Sequence, residues 1–215
     1  MFPNLLTPLQ RRLLSLARQL PGVFLTGGTA LALVHLGHRR SVDLDLFTRD
    51  APSFEHLVRL FLGLVEREGL AAVAGQAGPG FRRFVVSDGS EQVPVDLAVD
   101  SAPPVGKPLV LDDGLAVDSI EDIAANKLCA ILGRAEVRDY VDLYFLARRG
   151  LDPLALLPAA QRKDGGLDAA TLAFVLSEVR IVRQPDGLEI PVTVGELGAF
   201  VDDLRRRLAL AAFPA

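Results

Sequence analysis

The sequence contains one cysteine, one methionine, no tryptophan and three histidines. The single thiol, Cys129, excludes an internal disulfide and any zinc centre built from several cysteines, and it suits a reducing compartment. Its ordinary reading is a small core residue. The stretch MFPNLLTPLQRRLLSLARQL scatters arginines among its leucines where a secretion signal needs an unbroken apolar segment, so no secretion is expected. Apolar runs such as Val23 to Leu36 are broken by Gly27-Gly28-Thr29 and His35, short of the ~18–20 residues of a membrane span. The cytoplasm is the default location, with no membrane contact. A net charge of −4 argues against a protein that coats nucleic acid by bulk electrostatics and leaves room only for a local basic groove.

What is present is a chain of 215 residues, half of them apolar, enough for a substantial core. Leu6, Leu9, Leu13, Leu16 and Leu20 recur at helical spacing up to Pro21-Gly22. Val23 to Thr26 reads as a short buried strand, and Thr29 as the cap of a helix, ALALVHLG, ending near Gly37. A strand over Val42 to Phe47 follows, then a helix opened by Pro52-Ser53 and closed at Gly69. Ala71 to Ala74, Arg82 to Ser87 and Gln92 to Val99 read as antiparallel strands, with GQAGPG and SDGSE as turns. From Ser119 the period is helical to the end. The expected architecture is an α/β part over residues 1–105 and a helical part over 106–215, with the stretch 101–118 as the link.

Chemistry concentrates in HRRSVDLDLF, residues 38–47. On a strand Asp43 and Asp45 leave one face while Leu44 and Leu46 leave the other, which sets two like charges side by side. In VPVDLAVD, Asp96 likewise leaves the face opposite the valines. If the two strands are neighbours, three carboxylates converge, a donor set suited to Mg²⁺ (or Mn²⁺) with phosphate oxygens completing the shell. Gly27-Gly28-Thr29 is either a plain tight turn or a phosphate cradle in which backbone N–H groups open a helix toward an anion.

GGTAL, HRRSVDLDLF and DIAANKLCAILGRAEVRDYVDLYFL together resemble the signature segments of the AbiEii/AbiGii-type toxin group of the nucleotidyltransferase superfamily, over roughly residues 20–150. The resemblance implies a nucleotidyltransferase-like mixed sheet with flanking helices, followed by a helical C-terminal part. It also implies an enzyme that moves NMP from an NTP to an acceptor. Asp43, Asp45 and Asp96 would hold the metal, and Lys127 and Asp139 would join them as catalytic residues. Gly27, Gly28, Thr29, Arg39, Ser41, Lys127 and Arg134 would contact the nucleotide. A toxin of this group implies tRNA as acceptor, an antitoxin protein as partner, and a role in a toxin-antitoxin system or phage defence.

Other readings stand beside these. Lys127 and Arg134 are either phosphate contacts or one solvated helix face, and Asp139 and Asp142 either functional or surface acids paired with Arg138. His38-Arg39 suits a helix C-terminus, His35 a core histidine, and Arg205-Arg206-Arg207 a solvated helix end or an RNA-facing cluster. A protein or small-molecule acceptor would need no basic groove. A non-catalytic nucleotide- or partner-binding module is the alternative of a different class, although it has no need of all five polar site residues. A phosphotransferase would want an HRD catalytic loop or a Walker-type lysine, and the sequence has neither.

Overall fold

The computed structural model describes residues 2–134 and 136–213. Among them, seven strands form one mixed sheet: β1 (Val23–Thr26), β2 (Leu44–Thr48), β3 (Ala71–Gly78), β4 (Phe81–Ser87), β5 (Gln92–Val99), β6 (Leu109–Val110) and β7 (Ala116–Val117). Their spatial order is β3-β4-β5-β2-β1-β7-β6. The pairs β2/β5 and β1/β7 are parallel, and the other four are antiparallel. The chain divides into two compact units, one of residues 1–101 and 107–119 and the other of residues 102–106 and 120–215.

In the first unit the sheet's apolar face carries Leu44, Leu46, Val95 and Leu97, all fully buried, together with Phe84. Helix α1 (Pro8–Ala17) buries Leu9 and Leu13 completely and starts from a capping box between Thr7 and Gln10. Helix α2 (Gly27–Ala30) follows β1 without a loop and widens into a π-helix over Leu31–Leu36, which ends where Gly37 turns left-handed at φ 66°. The cap position of α2 is Thr26, so Thr29 lies inside the helix and not at its start as the sequence suggested. Helix α3 (Phe54–Arg67) sets Phe61 against Phe84, with ring centroids 5.8 Å apart, and so covers the apolar face. The segment GQAGPG is mostly strand: β3 continues to Gly78 through an irregularity between Ala74 and Ala77, and only Pro79-Gly80 turns. Residues 107–119, read from sequence as part of a link, bring β6 and β7 into the sheet beside β1.

The second unit is helical: α4 (Ile120–Gly133), α5 (Val137–Arg148), α6 (Leu157–Lys163), α7 (Ala169–Ser177) and α8 (Val194–Ala212). Asp168 and Thr193 cap α7 and α8 through their side chains. Cys129 donates to the carbonyl of Ala160 at 3.6 Å, as a packed structural thiol would. Asp122, fully buried on α4, accepts from the backbone N–H groups of Val105 and Gly106 and pairs with Lys163 Nζ at 3.1 Å. One carboxylate thereby ties the 102–106 segment and α6 to α4. Arg206 pairs with Asp203, and Arg207 with Asp152, so these two members of the C-terminal arginine run are ion-paired.

Taking one member from a buried ion pair leaves an uncompensated charge, which typically costs about 3–5 kcal/mol. Lys163→Ala is therefore expected to lower the unfolding free energy by about that amount, measured by urea denaturation followed by far-UV circular dichroism.

Candidate active site

Strand register builds the first cluster. Arg83 on β4 lies opposite Asp96 on β5, Asp96 opposite Asp45 on β2, and Asp45 opposite Thr26 on β1. Directly paired residues project to the same face, so these four side chains form one row across four strands, on the face that α3 does not cover. Arg83 donates through Nε to Asp96 Oδ1 at 2.7 Å and through Nη2 to Oδ2 at 2.5 Å, a bidentate charge-assisted pair. The hydrogen bonds to Asp96 hold the Arg83 guanidinium above its ordinary pKa against the opposing effect of burial. The charges of Asp96, Asp43 and Asp45 add to that effect, which places both remaining carboxylates within its field.

Gly27 turns the chain from β1 into α2 at φ 67°, a left-handed conformation that favours glycine. A Cβ there would lie 1.8 Å from Asp45 Oδ2. Backbone and carboxylate are thus in direct contact, and no other residue type fits. A Cβ on Gly28 would lie 2.6 Å from Arg39 Nη2 and 3.0 Å from Ser41 Oγ, so the start of α2 has an acid on one side and a buried guanidinium on the other. Thr29 Oγ1 donates to the Asp43 carbonyl, and Ser41 Oγ donates to Asp43 Oδ1 at 3.0 Å. Gln10 Nε2, itself buried, fixes the Ser41 carbonyl at 2.8 Å. The structure therefore gathers Gly27, Gly28, Thr29, Arg39, Ser41, Asp43, Asp45 and Asp96 in one unit. His38 and Arg39 are both buried, and Gly37 takes the helix end that the sequence offered them. His35, expected as a core histidine, is half-buried, and its Nε2 contacts the Asp118 carbonyl at 3.0 Å.

Asp43 and Asp45 supply an oxygen donor set of the kind that suits a hard divalent cation completing its shell with phosphate and water. The third carboxylate is differently engaged: both Asp96 oxygens accept from Arg83. Among the described residues, no three His, Cys, Asp or Glu side chains close on a common point.

The second cluster lies within the helical unit. Lys127 Nζ on α4 sits 2.9 Å from Asp139 Oδ1 and 2.7 Å from Asp142 Oδ2, both on α5, one turn apart and fully buried. Arg134 adds Nε to Asp139 Oδ2 at 3.0 Å and Nη2 to Oδ1 at 3.1 Å. Burial pushes the Asp139 carboxyl up, but Lys127 and Arg134 together outweigh it and hold its pKa below the ordinary carboxylate value. Burial, with the Asp139 charge beside it, pushes the Tyr140 phenol up to about 12. The solvated readings fail for Lys127, Asp139 and Asp142, while the Arg134 side chain stays 45% exposed. Arg83 escaped assignment from sequence, and Asp142 entered there beside Asp139 as either a functional or a surface acid. Arg83 was recoverable, because counting back along both strands from the SDGSE turn brings it opposite Asp96.

The family model described as nucleotidyl transferase AbiEii toxin, Type IV TA system, matches residues 9–210. JHP933 from Helicobacter pylori is similar in structure, with TM-score 0.57 and 23% identity over 94% of this chain and 91% of that one. MenT4, a nucleotidyltransferase toxin from Mycobacterium tuberculosis H37Rv, superposes with TM-score 0.61 and 19% identity over 94% of this chain and 82% of that one. At these identities the likeness is one of fold. No curated protein sequence matches. No helix among the described residues is long and apolar enough to cross a membrane.

The depressed Asp139 pKa fixes the sign of a pH effect. Its contribution to stability is fully present above the unfolded carboxylate value, near ~3.9, and is lost as pH falls through the lower folded-state value. Asp139→Asn should therefore destabilise at pH 7 and flatten the loss of stability below about pH 4, read from urea midpoints across an acid series.

Proposed function

The chain belongs to the AbiEii family of nucleotidyl transferase toxins of Type IV toxin-antitoxin systems, and on that footing we propose that it transfers NMP from an NTP to tRNA in a reaction requiring Mg²⁺ or Mn²⁺. The observation that carries this reading is the contact between Gly27 and Asp45: the start of α2 is packed directly on an acidic face. A polyanion with its cation needs both surfaces at once.

In the reaction the acceptor hydroxyl oxygen bonds to the α-phosphorus, the bond to the bridging oxygen breaks, and pyrophosphate leaves. Asp43 and Asp45 would hold the cation, which would neutralise phosphate charge there and make the hydroxyl more acidic. The backbone N–H groups of Gly28 and Thr29 bind phosphate oxygens, with Gly27 giving them their approach. Arg39 and Ser41, beside Gly28, add positive charge and a hydroxyl donor to the same end of the nucleotide. Asp96 takes the hydroxyl proton once Arg83 no longer occupies it. Most of the rate comes from positioning and charge stabilisation. Lys127, Arg134 and Asp139, to which the family resemblance gives nucleotide-binding and catalytic roles, form an ion-paired cluster inside the helical unit, and the role proposed for them is to support that unit.

Following the resemblance read in the sequence, the acceptor proposed is tRNA rather than a protein or small molecule, and the net charge of −4 confines RNA contact to a local surface. An antitoxin is the expected protein partner, and the cytoplasm, where tRNA is found, is the expected place of action.

Incubation with Mg²⁺, each α-³²P-labelled NTP in turn and total tRNA tests the reading. Label on RNA is expected from the wild type, and at least about a hundredfold less from Asp45→Ala, which loses a cation ligand while its melting temperature holds. Asp45-dependent label on protein would move the acceptor, and absence of label from every acceptor would overturn the proposal. Lys127→Ala should reduce the label together with helical-unit stability, since its partners Asp139 and Asp142 are buried.

A further inference from the structure

Arg83 belongs to no motif of the sequence, yet it terminates the row of side chains that the proposed reaction uses. Its guanidinium occupies both oxygens of Asp96, at 2.7 and 2.5 Å. Both oxygens of a carboxylate engaged in that way are already committed, so a cation shared with Asp45, its neighbour across the strands, would have to share them with the guanidinium and its charge. We propose that Arg83 is a resident counter-ion that competes with the divalent cation for Asp96, so that a full set of three carboxylates forms only when the guanidinium lets go. The inference rests on the reading of Asp43 and Asp45 as cation ligands.

Three observations support release rather than a permanent structural pair. The Arg83 side chain is 44% exposed while that of Asp96 is 10% exposed, so the guanidinium has water to move into and the carboxylate stays in place. Arg83 stands on β4, outside the three strands that carry the acids and the glycine turn, so its departure disturbs no ligand. The fields of Asp43 and Asp45 also act on it, and a cation placed among the carboxylates would cancel that attraction. The competition makes the bare cation bind poorly and favours its arrival together with the triphosphate, whose own charge offsets the displaced guanidinium.

The test uses Mn²⁺ alone, without nucleotide, on the full chain, with dissociation constants read from the electron paramagnetic resonance signal of free Mn²⁺. Arg83→Gln is expected to bind Mn²⁺ at least tenfold tighter than the wild type, and Arg83→Lys, which keeps the charge but loses the planar fork, to fall between them. The gain should vanish in Arg83→Gln/Asp96→Asn, because the contested carboxylate is gone. A gain that persists in the double variant, or an unchanged constant in folded Arg83→Gln, overturns the proposal. If Arg83→Gln does not fold by circular dichroism, Arg83→Lys decides by itself: tighter binding supports the competition and unchanged binding overturns it. Asp45→Asn separates the two levels. If it binds Mn²⁺ like the wild type, the cation is not held on this face and the functional reading fails too; if it loses Mn²⁺ while Arg83→Gln is unchanged, only the present inference fails.

Discussion

Asp45 and Asp96 face each other in register on adjacent parallel strands, and the acidic face of the sheet is arranged around that pairing. Two unit charges ~5 Å apart at an effective dielectric near 20 repel by roughly 3 kcal/mol, a large share of the stability of an ordinary domain. Arg83 closes the row on one side, and on the other Thr26 replaces a further charge at the strand end, its hydroxyl turned to Asp118 Oδ2 at 2.9 Å. The glycine turn adds the positive end of a helix against Asp45. The face is tolerable because Arg83 on Asp96, the Ser41 hydroxyl on Asp43 and the glycine turn against Asp45 offset that repulsion. Its opposite side carries Leu44, Leu46, Val95 and Leu97 and holds the core.

The two units neutralise buried acid in different ways. In the helical unit, Lys127 lies between Asp139 and Asp142 with all three side chains removed from water, and Arg134 covers the remaining edge. Such a knot is stiff, since moving any member strands a charge in low dielectric. In the sheet unit the cation is half exposed and held by a single partner strand. Stiffness suits a scaffold, and an exchangeable cation suits a surface that must accept a charged substrate.

Much of this was legible in the sequence. Alternation placed Leu44 and Leu46 opposite Asp45, although Asp43, expected on the same strand, lies just ahead of β2, and Gly27-Gly28, read as an approach to phosphate, packs against the Asp45 carboxylate. The family segments led to Lys127 and Asp139, whose mutual ion pair has a local cause in neighbouring helices. What alternation could not supply was depth. Nothing in HRRSVDLDLF tells that His38 and Arg39 are buried, because burial depends on packing against other segments, as Arg39 does beside Gly28. The same limit hid β6 and β7: strands of two residues carry no period, and only their pairing beside β1 defines them.

The path of the chain constrains how the protein can be dissected. After β5 it enters the helical unit at residues 102–106, returns through 107–119 to supply β6 and β7, and only then leaves for α4. The polypeptide crosses the boundary three times, so no single cut yields two intact pieces. A fragment ending at residue 101 would strip β7 from the flank of β1 and take Asp118 away from Thr26, leaving a buried strand with a bare edge ready to pair with another molecule. The same crossing threads a segment of one unit through the order of the other, so the sheet cannot be completed during synthesis until the chain has already passed into helical territory and come back.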